Sequence, residues 1–411
     1  MTNKTLSSNI VFLLGSGISY KAGMPSVESI TNHVLNRCKP IVYNPDGYYC
    51  FKDMISPQRH LNDFGNVRRI VQFLERLEQE IDAYYAYDPD SESAGRKANY
   101  EDIYFLASQI FEGTIQNYDN PAIPALVDKI TPDIRQALSG IQDGERDEQA
   151  WSPQDIAREA MTYINHVLWC FHAKLNASVD LDYLELLAHA VLDEDLKAID
   201  FFTLNYDVVL ERFLKSCKID FFDGFELGTD GRSWWDSMSF IRQDEQRVRL
   251  LKLHGSINWY ADQYHGKGSK SMERIDESNQ PFLWRDIPEK AEPTFLAGTL
   301  NKMLEYTSEV FAFLQSEWLR SLYQSDVLVV CGYGGNDKGI NTRIIEWFHF
   351  SDDKILIVVD PSEDIIKNAR PALGGLLATA EKEPKIQIIQ KSIEHTSWPE
   401  VRDRILSQLP S

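Results

Sequence analysis

Residues 9–25 read Asn9-Ile10-Val11-Phe12-Leu13-Leu14-Gly15-Ser16-Gly17-Ile18-Ser19-Tyr20-Lys21-Ala22-Gly23-Met24-Pro25. Five apolar residues in a row, Ile10 to Leu14, suit a strand covered on both faces, as in a parallel sheet. The Gly15-Ser16-Gly17 turn that ends it leads toward a helix predicted over 26–38. Ser26 is its expected N-cap, with Val27, Ile30, Val34 and Leu35 on one face. Strand, glycine turn and helix in that order set backbone N–H groups against a phosphate at a helix N-terminus. Glycine at 15 and 17 lets the main chain approach a ligand with no Cβ in the way.

Three later segments repeat the plan of an apolar strand followed by a small or polar turn. Residues 198–204 lead to Asn205-Tyr206-Asp207, and Val248 to Leu253 deliver His254-Gly255-Ser256. Asp326 to Cys331 end in Gly332-Tyr333-Gly334. A further strand, Lys354 to Val359, ends in Asp360-Pro361-Ser362, and Lys385 to Gln390 gives the last. Helices predicted over 338–350, 363–377 and 397–408 alternate with these strands, the signature of a doubly wound parallel sheet. In such a sheet the ligand sits beyond the carboxyl ends of the strands, so the turns would line one crevice.

Between the first strand and the second lies a mostly helical stretch, 40–197. Helices are predicted over 63–86, from Asn99 onward, over 154–176 and over 181–196, with loops at 40–62, 88–98 and 140–153. The expected organisation is therefore an α/β domain of residues 1–39 and 198–411, Rossmann-like and doubly wound, with a large helical lobe at 40–197. Residues 225–247 read as irregular, and 257–300 as a small irregular subdomain or flap.

The whole-chain numbers exclude several functions. A length of 411 residues fits two or three packed units. A net charge of −20 opposes direct binding to nucleic acid or anionic lipid. No apolar run nears the roughly 20 residues that span a bilayer, and no signal-peptide core opens the chain, so a cytoplasmic location is expected. The five cysteines, at 38, 50, 170, 217 and 331, form no C-x-x-C pair. No metal site is expected, and a scattered, odd count fits reduced thiols.

Each candidate residue has two readings. Asn205 either orients a ligand or caps the helix predicted over Val208–Cys217. Asp207 binds the ligand or starts that helix. Ser256 supports His254 or is a turn hydroxyl. Asp360 holds ribose hydroxyls or initiates the turn before Pro361. Glu101 and Asp102 form a carboxylate pair that could face the crevice or supply charge to a helix N-terminus. Trp234-Trp235 and Trp259-Tyr260 read as packing or oligomer contacts.

The order of motifs resembles the sirtuin family. Gly15-Ser16-Gly17-Ile18-Ser19 followed by Gly23-Met24-Pro25 is similar to that family's Gly-Ala-Gly-Ile-Ser and Gly-Ile-Pro. Thr203-Leu204-Asn205-Tyr206-Asp207 is similar to its Thr-Gln-Asn and Asp, His254-Gly255 to its His-Gly, and Gly332-Tyr333-Gly334 to its Gly-Thr-Ser turn. Val358-Val359-Asp360-Pro361-Ser362 resembles its adenosine-side loop. The two zinc-holding C-x-x-C pairs of the deacylases are absent, and Ser26-Val27 replaces their Phe-Arg. The chain most resembles zinc-free bacterial relatives used in anti-phage defence. That resemblance implies an NAD⁺ glycohydrolase with Asn205 and His254 as catalytic residues. It places NAD⁺, the substrate, against Gly15, Ser16, Gly17, Ser19, Asp207, Ser256, Gly332, Tyr333 and Asp360. It also implies self-assembly and a HerA-type ATPase as partner. A deacylase or ADP-ribosyltransferase, and a non-catalytic NAD⁺ or ADP-ribose sensor, are the alternatives.

Overall fold

The computed structural model describes residues 9–44, 47–54, 65–86, 97–115, 120–139, 141–142, 145–146, 150–173, 179–229, 232–242, 246–261, 272–275, 293–298 and 309–409. The chain divides into two compact units, one of Met1–Met24, Leu175–Leu296 and Met303–Ser411, the other of Pro25–Lys174 and Ala297–Lys302. Among the described residues no helix is long and apolar enough to cross a membrane.

The first unit is built on six parallel strands, labelled in chain order. They are β1 (Ile10–Leu14), β2 (Ile199–Thr203), β3 (Val248–Lys252), β4 (Val327–Cys331), β5 (Ile355–Val359) and β6 (Ile386–Ile389). Their spatial order is β6-β5-β4-β1-β2-β3, the doubly wound Rossmann-like order. All five residues of β1 are buried, as its unbroken apolar run requires of a central strand. Register carries Leu14 beside Thr203 on one side and Cys331 on the other. The strand order reverses between β1 and β4, so the switch-point end of the sheet collects the turns after β1, β2 and β4. Helices Glu309–Gln324, Lys338–Phe348 and Trp398–Gln408 flank the sheet, and Phe202 packs edge-on against Trp318 at 4.8 Å.

A second sheet in this unit is antiparallel and five-stranded. Its order is Pro293–Phe295, Gly255–Ala261, Met272–Arg274, Ser233–Trp235 and Phe225–Leu227. Residues 225–247, which read as irregular, therefore hold two strands, and the described parts of 257–300 extend the same sheet. These strands are mostly three residues long, too short to show an alternating pattern. Trp235 and Trp259 are packing residues. Their rings lie 5.4 Å and 5.1 Å from Phe225.

The second unit is helical, with main helices Val27–Val34, Gly65–Ala86, Tyr100–Phe111 and Pro153–Ala173. Ser26 caps the first of these by accepting from the Ser29 N–H. The loop read at 40–62 contains a short antiparallel pair, Ile41–Tyr43 with Tyr49–Phe51. Asn99 caps the Tyr100–Phe111 helix by accepting from the Glu101 and Asp102 N–H groups, and Asp102 accepts in return from the Asn99 N–H. This capping box uses the Asp102 carboxylate, while Glu101 accepts from the Tyr100 hydroxyl at 3.3 Å. Of the loops read at 88–98 and 140–153, residues 88–96, 140, 143–144 and 147–149 lie outside the described residues.

In this unit His166 is buried, and its Nδ1 accepts from the Tyr49 N–H at 3.2 Å. Burial pushes its pKa down to about 3. The folded state thus keeps the ring neutral while the unfolded chain protonates it near its ordinary value of about 6.5. Stability is full above that value and falls as pH drops through the window toward 3, by up to about 1.4 kcal/mol per pH unit. His166→Asn retains an acceptor for Tyr49 but does not titrate. Denaturant melts at pH values between about 6.5 and 4 should show a shallower pH dependence in His166→Asn than in the wild type.

Candidate functional site

The site begins at a seam between two glycine turns. The Gly15 N–H donates to the Cys331 carbonyl at 3.0 Å and the Gly17 N–H to the Gly332 carbonyl at 2.9 Å. A Cβ on Gly15 would stand 2.5 Å from the Gly332 oxygen, and one on Gly17 would stand 2.8 Å from the Gly332 Cα. Gly332 has φ of +62°, and its own Cβ would meet the Ile18 nitrogen at 2.7 Å. The three glycines let the turns after β1 and β4 meet backbone to backbone. The Gly15 and Gly17 N–H groups, expected to face a phosphate, are engaged with the Cys331 and Gly332 carbonyls, and the Gly332 N–H with the Val359 carbonyl.

The helix expected over 26–38 begins eight residues beyond Ser19 and runs from Val27 to Val34, with Ser26 as its N-cap. Ser16–Ser19 form a four-residue 3₁₀ turn, and the helix starts only at Val27, in the other unit. Gly23, at φ +87°, and the restriction that Pro25 places on Met24 interrupt helical geometry. The dipole of a long helix is therefore not aimed from this turn. Ser16 is exposed and Ser19 buried.

Asn205 crosses from the end of β2 to this turn. Its Nδ2 donates to the Gly15 carbonyl at 3.1 Å and to Ser19 Oγ at 3.0 Å. It does not cap the following helix, Val209–Ser216. Its Oδ1 takes no hydrogen bond among the described residues. Asp207 takes up the helix start, with Oδ1 accepting from the Val209 N–H at 3.0 Å. Burial pushes the Asp207 carboxyl up, against the pull of Lys252 and of the Val209 and Ser19 donors. Lys252, buried at the end of β3, donates to the Asp207 main-chain carbonyl and to Glu211 Oε1, the latter at 2.9 Å.

His254 follows β3 and is 3% exposed. Its Nε2 lies 3.3 Å from Asp337 Oδ2, and its ring centroid lies 6.5 Å from that of Tyr206. Gly255, at φ +79°, leaves no room for a Cβ beside the Thr294 carbonyl. Ser256 donates to the Tyr206 carbonyl at 3.2 Å, so it braces the 205–207 loop. The Tyr206 hydroxyl donates to the Leu296 carbonyl.

Tyr333 donates to Asn341 Oδ1 at 2.7 Å and accepts from the Asp337 N–H at 3.0 Å. Asp360, at the end of β5, accepts from the Ser362 N–H at 2.9 Å, as a turn initiator does. Burial raises its carboxyl, partly offset by that N–H. Burial, with Asp360 nearby, pushes the Cys331 thiol up to about 12, so it is no nucleophile at neutral pH. Among the described residues no group of three or more His, Cys, Asp or Glu is placed to hold a metal ion.

The structure thus joins Gly15, Gly17, Ser19, Asn205 and Gly332 directly, and links Asp207 to Ser19 and Ser256 to Tyr206. Asp360 stands one strand beyond β4. Three contributors were not singled out from sequence. Tyr183 donates to the Ile18 carbonyl at 2.8 Å and supports the turn from a distant segment. Lys252 was visible as a cation at the end of the strand Val248–Lys252, and Asp337 as an acid preceding a helix.

Residues 200–385 match the family model of the SIR2-like domain. This segment runs from β2 to the residue before β6 and carries Asn205, His254 and Gly332, while the opening glycine turn lies outside it. No curated protein matches the chain. Among solved structures, a Sir2 homolog–NAD complex is similar at 11% identity, covering 99% of this chain and 93% of that one, with a TM-score of 0.38. A Sir2 homologue mutant in complex with ADP-ribose is similar at 12% identity, covering 100% of both chains, with a TM-score of 0.36. At such scores the fold rests on strand order.

Two outcomes follow from the seam and the buried acid. Gly332→Ala combines a positive φ with a clash against backbone, so it should lower stability by about 2–4 kcal/mol in denaturant titration. Asp360→Asn keeps an acceptor for Ser362 and removes a carboxylate that burial disfavours. A raised carboxyl costs stability only where it is ionised. The melting temperature of Asp360→Asn should therefore exceed wild type at pH 7, with the gain fading as pH falls into the carboxylate range.

Proposed function

We propose that the chain hydrolyses NAD⁺ to nicotinamide and ADP-ribose, with Asn205 and His254 as its catalytic residues. The observation that carries this reading is their placement. Adjacent strands β2 and β3 bring both to one edge of the sheet beside the glycine seam, within the segment that matches the SIR2-like domain.

Cleaving the bond between nicotinamide and ribose C1′ leaves an oxocarbenium-like centre that water must capture. Nδ2 of Asn205 is held by Gly15 and Ser19, so Oδ1 has a fixed direction in which to orient that water. His254 accepts the proton released as the water adds. Products are nicotinamide, ADP-ribose and one proton. The exposed Ser16 edge and the 332–335 loop hold the pyrophosphate, and Asp360 faces the adenosine ribose. In this reading the chain acts in the cytoplasm as a homo-oligomer, depletes NAD⁺ in anti-phage defence and works with a HerA-type ATPase. That part rests on motif resemblance and chain length.

Chromatography of NAD⁺ incubated with the purified chain, with and without the ATPase, should show nicotinamide release. Asn205→Ala and His254→Ala should each reduce it by at least about a hundredfold. Unchanged rates in both variants would sink the assignment. Acyl-lysine loss or ADP-ribosylated protein would indicate transfer instead. Binding of intact NAD⁺ without turnover would indicate a sensor.

A further inference from the structure

We infer that Asp337 is a positioning residue that holds and charges the imidazole of His254. The inference rests on the reading of His254 as the base of NAD⁺ hydrolysis. Asp337 lies at the N-terminus of helix Lys338–Phe348, and its two carboxylate oxygens have separate tasks. Oδ1 accepts from the Ile340 N–H at 3.0 Å, capping the helix. Oδ2 stands 3.3 Å from His254 Nε2. Both side chains are buried, at 9% and 3% exposure, so solvent screens the pair weakly.

The main chain that carries this carboxylate is held as well. Its N–H donates to the Tyr333 hydroxyl, and that hydroxyl donates to Asn341 Oδ1. Asn341 in turn donates to the Gly335 carbonyl at 2.8 Å. The turn after β4 thereby sets the position of an acid that serves a histidine delivered by β3. The other polar groups packed near His254 are of different character. The Tyr206 ring faces it from the loop after β2, and the Leu296 N–H donates to its main-chain carbonyl. Asp207, Lys252 and Glu211 belong to the cluster behind that loop and neutralise one another in part. Asp337 stands at ion-pair distance from the ring. A fixed carboxylate there favours the protonated imidazole, and so favours proton uptake as water adds.

Asp337→Asn separates this role from a structural one, since asparagine also caps helices. Asp337→Ser, which caps through its hydroxyl, serves if the asparagine variant does not fold. NAD⁺ hydrolysis by the full chain should lose at least about tenfold in kcat, with KM changed less than about twofold. The acid limb of the pH–rate profile should move to lower pH. Independently of activity, the chain labelled with ¹⁵N-histidine reports His254 through the signal missing in His254→Asn. Its titration midpoint should be lower in the Asp337 variant than in wild type. An unmoved midpoint in a folded variant overturns the inference. A wild-type chain that leaves NAD⁺ intact overturns the proposed reaction, while the midpoint still decides the pairing.

Discussion

The site depends on one contact, the backbone seam between the turn after β1 and the turn after β4. Two N–H to carbonyl bonds and three mutually close glycines define it. A side chain at any of the three would need the space of the facing main chain. The seam sits at the reversal in strand order, so it fixes the point from which the remaining turns are placed. Asn205 is oriented only because Gly15 and Ser19 are already there to accept its amide. The glycines thus act on the candidate site indirectly, by bringing two loops together.

A second constraint pins the far side. Asp200 on β2 and Arg249 on β3 are register partners, and the guanidinium bonds both carboxylate oxygens. Arg249 also reaches Glu317 at 3.2 Å and Ser321 at 2.9 Å on helix Glu309–Gln324. Desolvating these charges cancels most of their mutual attraction, so the network adds little net stability. It does penalise any slip of the edge strand, because a shift of one residue would leave a buried arginine unpaired. Correct register of β3 is what delivers His254 to its place.

The sequence made the parallel sheet legible because its strands are buried on both faces and read as unbroken apolar runs. It also placed Asn205 and His254 at strand ends, where turns must lie. The antiparallel sheet was not legible. Ser233–Trp235 and Phe225–Leu227 are too short for a period and are held by partners far along the chain. The helix expected over 26–38 begins at Val27 with Ser26 as its cap, while the short 3₁₀ turn Ser16–Ser19 before it carried no pattern of its own. The roles of Lys252, Tyr183 and Asp337 arise from contacts across the fold. Tyr183 meets Ile18 across a separation of 165 positions, which no local pattern encodes.

Of the four strand-then-turn segments, two close the backbone seam and two carry the amide and the imidazole of the proposed reaction, and strand order explains the division. β1 and β4 are neighbours at the switch point, so their turns face each other and must be small. β2 and β3 lie to one side, and their turns open with Asn205 and His254 in place of the glycines that open the other two. Asn205 leans back onto the seam, and His254 meets an acid from the helix after β4. The amide and the imidazole are therefore each held by the same pair of glycine turns, one through Gly15 and Ser19, the other through Tyr333 and Asp337. Loosening the seam would displace both groups together, so the placement of the amide and the imidazole and the closure of the fold are one requirement.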